Sequence, residues 1–158
     1  MNSIQVQSAL AEHPFLAGLT ESDISTLASL AFEVQFQEEQ IIFRDGDPSS
    51  FFYLIQSGHV ALEVRAPGHI LRIQTIGDGE ELGWSSFLAS VNKQFQARCL
   101  EPVRAFAFDG AQIIARCEAD PAFGFRVLRR VLSTVADRLR ATRLQMLDVY
   151  ATRGGGGL

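Results

Sequence analysis

The feature that constrains the fold most is a change in the spacing of apolar residues along the chain. Between residues 32 and 108, short runs of β-branched and aromatic residues are interrupted by turn residues every eight to twelve positions. This pattern is typical of antiparallel sheets that close into a roll, sandwich or barrel. The predicted strands are 51–56, 60–65, 71–76, 95–100 and 103–108, and the clearest turns are 45–48, 57–58, 66–68 and 77–79.

Alternation within one of these strands predicts which side of the sheet is buried. In 60–65, Val60, Leu62 and Val64 alternate with Glu63 and Arg65. Successive side chains of a strand point to opposite faces. The sequence therefore predicts an apolar inner face and a solvent-facing outer face.

Helical spacing appears on both sides of this region. Thr20 and Asp23 have the spacing of a capping box and precede an amphipathic run, which predicts a short helix. A second helix is predicted over 111–117. Asp120 and Pro121 then have the features of a cap and first-turn proline, and they open a helix that is predicted to continue to about residue 150.

One stripe of the long helix has the spacing of a coiled-coil seam. Its residues recur alternately at intervals of four and three, and they are Leu128, Leu132, Val135, Leu139, Thr142, Met146 and Val149. The alternative is a stripe that packs on the protein's own sheet. A helix of about 30 residues is about 45 Å long, more than a domain of this size covers. The pattern thus favours a homodimer with Leu128, Leu132, Val135, Leu139 and Met146 at its interface.

Together these patterns predict a mainly β fold with flanking helices: an antiparallel β-roll, jelly-roll-like, followed by a long C-terminal dimerisation helix. The predicted organisation is an N-terminal segment over 1–12, a helix plus β-roll domain over 13–119, the long helix over 120–150, and a flexible tail over 151–158. The glycines at 154–157 are the reason for predicting the tail.

Composition and charge exclude several classes of protein. A formal net charge of −4 does not fit a general nucleic-acid binder. The first twelve residues lack the features of a secretory signal, and no window approaches the ~18 apolar residues of a membrane helix. Cys99 and Cys117 have no metal-ligand spacing and are predicted to be free thiols. We expect a cytoplasmic protein that binds neither nucleic acid nor membrane.

Enzyme and metal motifs are not found in the sequence. His13, His59 and His69 neither pair closely nor accompany a carboxylate in the pattern of a metal-binding triad. There is no glycine-rich phosphate loop followed by Lys-Ser or Lys-Thr, and no Gly-x-Ser-x-Gly elbow. We therefore predict a protein without catalytic activity, metal or cofactor.

The order of elements and four local motifs resemble the cyclic-nucleotide-binding domain family, which includes the sensor half of the catabolite gene activator. The motifs lie at 13–19, 42–47, 52–58 and 79–83, and the resemblance extends over about residues 13–150. It implies a regulatory domain that binds a cyclic nucleotide through a phosphate-binding cassette. In that family the cassette begins with a glycine and a ribose-binding glutamate, and it ends with an arginine that pairs with the phosphate.

Matching Gly83 to the family glycine places Trp84 at the glutamate position. The strand that follows then places Lys93 and Gln94 where the arginine and its small or hydroxylic neighbour belong. Lysine keeps the charge but loses the bidentate fork, whereas tryptophan removes the ribose acceptor and adds bulk. Three outcomes stay open: weak or altered binding of a cyclic nucleotide or another small anion, an empty structural cassette, and ordinary tight binding of cyclic nucleotide.

Other residues are candidates for the same site. Ser85 and Ser86 offer hydroxyl and amide groups to an anion, or they are helix caps. Arg98 replaces the missing guanidinium or, by strand alternation, points to solvent. The resemblance places Thr142 and Arg143 where the catabolite activator contacts the base of its ligand, although Thr142 equally suits a polar position in the dimer seam.

Six arginines also gather on the long helix: Arg126, Arg129, Arg130, Arg138, Arg140 and Arg143. This run is either a solvated face or a docking surface for an acidic partner.

We expect a homodimeric sensor or regulatory module in which ligand occupancy changes how the roll sits on the long helix. Family members that bind DNA continue into a helix-turn-helix domain. Because this sequence stops before one, we expect its output to pass through an unidentified protein partner. The alternative is an interaction or scaffold protein in which Trp84 fills a pocket without ligand.

Overall fold

The computed structural model describes residues 1–88 and 90–154. The helices are α1 (Ser3–Glu12), α2 (Glu21–Leu30), α3 (Gly110–Ala119) and α4 (Pro121–Gly154), with short 3-10 helices at Pro14–Leu16 and Trp84–Phe87. The strands are β1 (Phe32–Phe36), β2 (Ile41–Phe43), β3 (Phe51–Ser57), β4 (Val60–Ala66), β5 (His69–Ile76), β6 (Glu81–Leu82), β7 (Gln96–Cys99) and β8 (Val103–Asp109).

Within the described residues, the eight strands form two antiparallel four-stranded sheets. One sheet has the order β1-β8-β3-β6 and the other β2-β7-β4-β5. Antiparallel pairing holds throughout, including the isolated bridge between Pro48 and Asn92. The predicted β-roll with flanking helices and a long C-terminal helix is thus confirmed.

Strand alternation divides the apolar residues between two cores. On β8, Val103 and Ala105 point into the roll, while Phe106 and Phe108 point outward to the helices. Residues of α1, α2, α3 and α4 cover the outward side, and the buried residues of that cluster include Phe123. Because α4 and the roll share this helix-side core, the long helix is attached to the sheet that carries β6.

The helix starts follow the predicted capping groups. The Thr20 hydroxyl accepts a hydrogen bond from the backbone of Asp23, and the Asp23 carboxylate accepts one from the backbone of Thr20. Asp120 caps α4 through its carboxylate, which accepts from Phe123 N at 3.2 Å. The predicted end of α4 at residue 150 is wrong: the helix continues through Gly154, so residues 151–154 of the predicted tail are helical. Residues 155–158 lie outside the described part of the chain.

The outer face of β4 differs from the prediction at one residue. Glu63 was expected to face solvent, but it is 5% exposed. Arg98 Nη2 lies 2.8 Å from its Oε2, and Gln96 Nε2 donates to its Oε1 at 3.0 Å. The hydrogen bonds from Arg98 hold the pKa of the Glu63 carboxyl below its usual range. Arg98 therefore lies on the outer face of the second sheet as expected, but it is paired there with Glu63 and Glu39.

The long helix is covered by the roll over only part of its length. Phe123, Val127 and Val131 are buried, whereas every residue from 139 to 154 is exposed. Of the five predicted interface residues, Val135 packs partly against the helix-side core, while Leu128, Leu132, Leu139 and Met146 are exposed. The alternative in which the stripe packs on the protein's own sheet is wrong for these four residues.

Candidate functional site

The cassette begins with a turn that requires glycine. Gly83 has φ +90°, in the left-handed region, and a Cβ atom there would lie 2.5 Å from the carbonyl oxygen of Phe51. Its own carbonyl accepts the hydrogen bond from Ser86 N that opens the 3-10 helix Trp84–Phe87. The predicted glycine thus places the end of β6 directly against β3 and directs the next four residues.

Lys93 is the centre of the site. It is only 4% exposed, and its Nζ lies 4.3 Å from the centroid of the Phe43 ring. Nζ also donates to Ser85 Oγ at 3.3 Å, and that hydroxyl lies 2.5 Å from Ser49 Oγ. Burial disfavours the charged form and lowers the pKa of the Lys93 ammonium to about 8.

The backbone holds Lys93 in this position. Its N–H donates to the Asp47 carbonyl at 2.8 Å, and its own carbonyl accepts from Gly46 N at 2.8 Å. The turn after β2 and the segment before β7 are therefore tied together at the lysine. Gln94, the next residue, is exposed and does not join the cluster.

A cavity of about 230 Å³ opens beside the ammonium. Its walls are mainly apolar, and it is lined by Ile42, Phe43, Asp47, Pro48, Ser50, Phe51, Tyr53 and Lys93. Burial raises the pKa of the Tyr53 hydroxyl, so that side chain stays neutral at physiological pH. The arrangement suits a small molecule that has an anionic group and an apolar part.

Trp84 lies on the other side of the cassette. Its ring packs against the helix-side core that contains Phe123 and Val127, and it does not line the cavity beside Lys93. The 3-10 geometry that follows Gly83 turns the Trp84 side chain toward the helices and brings Ser85 toward Lys93. The interpretation in which Trp84 fills the pocket is therefore wrong.

The remaining predicted residues divide into two groups. Ser85 joins the lysine, while the Ser86 hydroxyl is buried without a hydrogen-bond partner in the described part of the chain. Thr142 and Arg143 are exposed on the distal half of α4, where Thr142 Oγ1 donates to the Arg138 carbonyl at 2.9 Å. The single chain does not bring Thr142 or Arg143 to the cassette.

Sequence reasoning missed an ion pair that connects the cassette to the long helix. Glu81, on β6 and two residues before Gly83, is 1% exposed. Arg138 of α4 places Nη2 2.7 Å from Glu81 Oε1 and donates from the same nitrogen to the Glu81 carbonyl oxygen. Burial raises the pKa of the Glu81 carboxyl to about 7, although the charge of Arg138 opposes that rise. The sequence does show a glutamate in what becomes the two-residue strand β6. The arginine that pairs with it is 57 residues away, so the pair is not visible in the sequence.

In 1–88 and 90–154, no three His, Cys, Asp or Glu side chains are grouped in a way that would hold a metal ion. Across that same part of the chain, no helix has the length and apolar character needed to span a bilayer.

The chain is similar to proteins of a known family. The family model "Cyclic nucleotide-binding domain" matches residues 33–120, more than half of the chain. The CRP-like cAMP-activated global transcriptional regulator of Mycobacterium tuberculosis is 27% identical over 144 residues, which are 90% of this chain and 62% of the regulator. The chain spans less than two thirds of the length of the curated relatives that it matches.

Solved structures show the same fold. A cyclic nucleotide-binding domain from Methylobacillus flagellatus superposes with a TM-score of 0.82 at 19% identity, covering 91% of this chain and 84% of that one. The catabolite activator protein of Thermus thermophilus gives 0.71 at 24% identity, covering 87% of this chain and 63% of that one. With the family model matching most of the roll, the chain belongs to the cyclic nucleotide-binding domain family.

Proposed function

We propose that the chain is a non-enzymatic, cytoplasmic sensor module that binds a small anion, of the cyclic nucleotide class or a similar size, beside Lys93. In this proposal the ligand changes how the cassette holds the long helix, and a homodimer built on that helix passes the change to a protein partner. The buried Lys93 ammonium at the wall of a cavity is the observation that supports the proposal most directly.

A buried ammonium without an anionic partner is costly for the folded state. In the described residues, Lys93 makes no salt bridge to a carboxylate, and its hydrogen-bond partner is the neutral Ser85 hydroxyl. An anion in the adjacent cavity would supply the missing charge to the ammonium. Lysine recognises phosphate as a point charge, so binding weaker than through a bidentate arginine is expected.

The route from ligand to helix is short. Lys93 contacts Ser85, which lies two residues after Gly83, and Glu81 lies two residues before it. Glu81 in turn holds Arg138 of α4. A ligand that binds one position of this cassette turn more tightly than another also favours the helix position that goes with it. The size of this shift in population is set by the difference between the two affinities. This connection supports a signalling role for α4.

The proposal is tested by titrating the protein with cyclic AMP, cyclic GMP and inorganic phosphate. Trp84 is the single tryptophan and directly precedes Ser85, so its fluorescence reports on the cassette, with calorimetry in parallel. We expect at least one anion to bind, and Lys93→Met to weaken that binding by at least tenfold. If no anion gives a response at millimolar concentration, or if Lys93→Met binds as tightly as wild type, the anion site is disproved.

A dependence of affinity on pH is also expected. An anion favours the ammonium form of Lys93, and the lowered pKa of about 8 means that the free protein loses this charge above pH 8. Affinity should be nearly constant below pH 7 and fall about tenfold between pH 7 and pH 9. Calorimetry of inorganic phosphate must allow for the phosphate's own ionisation, so a cyclic nucleotide is the better probe.

Lys93→Arg is the control, because a guanidinium group stays charged over this pH range. The same tenfold fall of affinity in that variant would contradict the assignment of the pH dependence to Lys93.

A second candidate is an interaction or scaffold protein whose cassette has no ligand. Trp84 supports it, because its ring now contributes to the core at the position where the family resemblance expects a ribose-binding carboxylate. The absence of any anion response in the titration above, with a dimer still present, would favour this function over the sensor.

A further inference from the structure

A basic groove lies between the first turns of α4 and the loop that precedes α2. Its volume is about 460 Å³, and its walls include Leu19, Phe125, Arg126, Arg129, Arg130 and Ser133. None of the residues that line it is acidic, in a chain whose formal net charge is −4. The basic groove thus concentrates positive charge on a protein that is otherwise acidic.

Two of its three arginines are held in fixed positions. Arg126 donates from Nε and Nη2 to the buried Asp23 carboxylate at 2.6 and 2.7 Å. Arg130 donates from Nε to the Phe15 carbonyl at 2.7 Å and from Nη2 to the Pro14 carbonyl at 3.3 Å. In both side chains these bonds leave the other terminal nitrogen, Nη1, available for further hydrogen bonds. Fixed guanidinium groups bind a carboxylate with less loss of side-chain entropy than mobile ones.

The third arginine lies beside an exposed aromatic ring. Phe125 is 66% exposed, and the Arg129 guanidinium lies 6.0 Å from its centroid. Arg129 forms no salt bridge among the residues that the structure describes. Aromatic residues and arginine are both enriched at protein interfaces, so this exposed pair suits a docking surface.

The basic groove and the dimer seam share one edge of α4. At 100° per residue, Arg129 lies about a quarter of a turn from the row that contains Leu128 and Leu132, and Arg126 and Arg130 lie further round the helix. Phe125 is seven residues before Leu132, so it lies in line with the seam at its N-terminal end. A dimer formed through the seam therefore leaves Arg126 and Arg130 open, with Phe125 and Arg129 at its edge.

We propose that the basic groove is a docking site for an acidic segment of a protein partner. An apolar side chain of the segment would pack between Leu19 and Phe125, and its carboxylates would bind Arg129 and Arg130. The apolar floor and the small number of guanidinium groups fit a peptide better than a nucleic-acid backbone, which requires a row of cations along its phosphates. The surface goes beyond the sensor function proposed above, because it does not involve the cassette.

The test is a titration of the full chain with a fluorescein-labelled twelve-residue peptide of Asp and Glu that contains two leucines. The matched probes are an all-Glu peptide, a Lys-for-Glu peptide, a short DNA duplex and vesicles of anionic phospholipid. We expect micromolar binding of the acidic leucine peptide, a loss of at least tenfold with Arg129→Glu, and a loss of at least threefold with Phe125→Ala. Both residues are exposed, so neither change disturbs the core.

The control is Arg143→Glu, the same charge change about 21 Å further along the helix. It should alter peptide affinity by less than twofold. An equal loss with Arg143→Glu, no peptide binding at 1 mM, or stronger binding of the duplex or the vesicles would overturn the proposal. Lys93→Met is measured in the same titration and should keep the peptide affinity, which separates this surface from the anion site.

Discussion

In the homodimer proposed above, replacing Leu132 and Leu139 together by glutamate is expected to separate the two chains. The two side chains are 67% and 51% exposed in the single chain, although they belong to a stripe with coiled-coil spacing. Fully burying a leucine contributes about 1.5–3 kcal/mol, and these side chains have about 60% of their surface left to bury, so loss of four leucines from a dimer removes about 4–7 kcal/mol. That corresponds to a dissociation constant about 10³- to 10⁵-fold higher. Sedimentation velocity over a hundredfold range of concentration measures it.

The same helix offers a matched control. Leu144 and Leu147 are also exposed leucines, 58% and 62%, but they lie on the side of α4 away from the seam. The double variant Leu144→Glu, Leu147→Glu should sediment as wild type does. A wild-type protein that is already monomeric at high concentration, or a control that dissociates as readily, would refute the proposed interface.

Replacing Glu81 by glutamine is expected to stabilise the protein above neutral pH. The carboxyl is buried, and its pKa is raised from the ordinary value of 4.5 to about 7. In the unfolded chain it ionises near pH 4.5, so between pH 4.5 and 7 the native state keeps a proton that the unfolded state has lost. Stability therefore falls as pH rises through this window, by about 3 kcal/mol in total.

Glutamine has the same shape and does not ionise. We expect Glu81→Gln to match wild type near pH 4.5 and to be more stable by up to about 3 kcal/mol at pH 8. Urea denaturation of both proteins at half-unit intervals of pH measures the difference. Glu38→Gln, which removes an exposed carboxyl, controls for net charge. If Glu81→Gln is less stable than wild type at pH 8, the ion pair with Arg138 outweighs the cost of burial and the expectation is wrong.

Most of the fold follows from local patterns in the sequence. The predicted strands at 51–56, 60–65 and 103–108 coincide with β3, β4 and β8 to within one residue at each end. Alternation of apolar residues and glycine-marked turns are local signals, and the sheet satisfies them directly. The helix α4 continues beyond its predicted end at residue 150, up to the first glycine of the run at 154. Its last turns are exposed, so the sequence carries only a weak signal for where the helix ends.

The site was less predictable because its geometry depends on distant pairs. Lys93 was identified through its position in the cassette, but its contact with Phe43 depends on how β2 and β7 pair. The outward orientation of Trp84 follows from the left-handed turn at Gly83. A glycine in the sequence permits such a turn but does not show that one is present. In the sequence, Arg138 is one of six arginines on the long helix and has no feature that distinguishes it. Its pairing with Glu81 depends on the packing of α4 on β6.

Arg138 is the last residue of α4 that is not exposed, so the part of the helix beyond it has the mechanics of a lever. Residues 139–154 extend about 24 Å beyond this fulcrum at helical rise. A rotation of about 10° at Arg138 therefore moves the tip by about 4 Å, compared with a radius of about 5–6 Å for a helix with its side chains. In the proposed sensor, a small displacement at Glu81 would thus become a larger displacement at the far end of the seam.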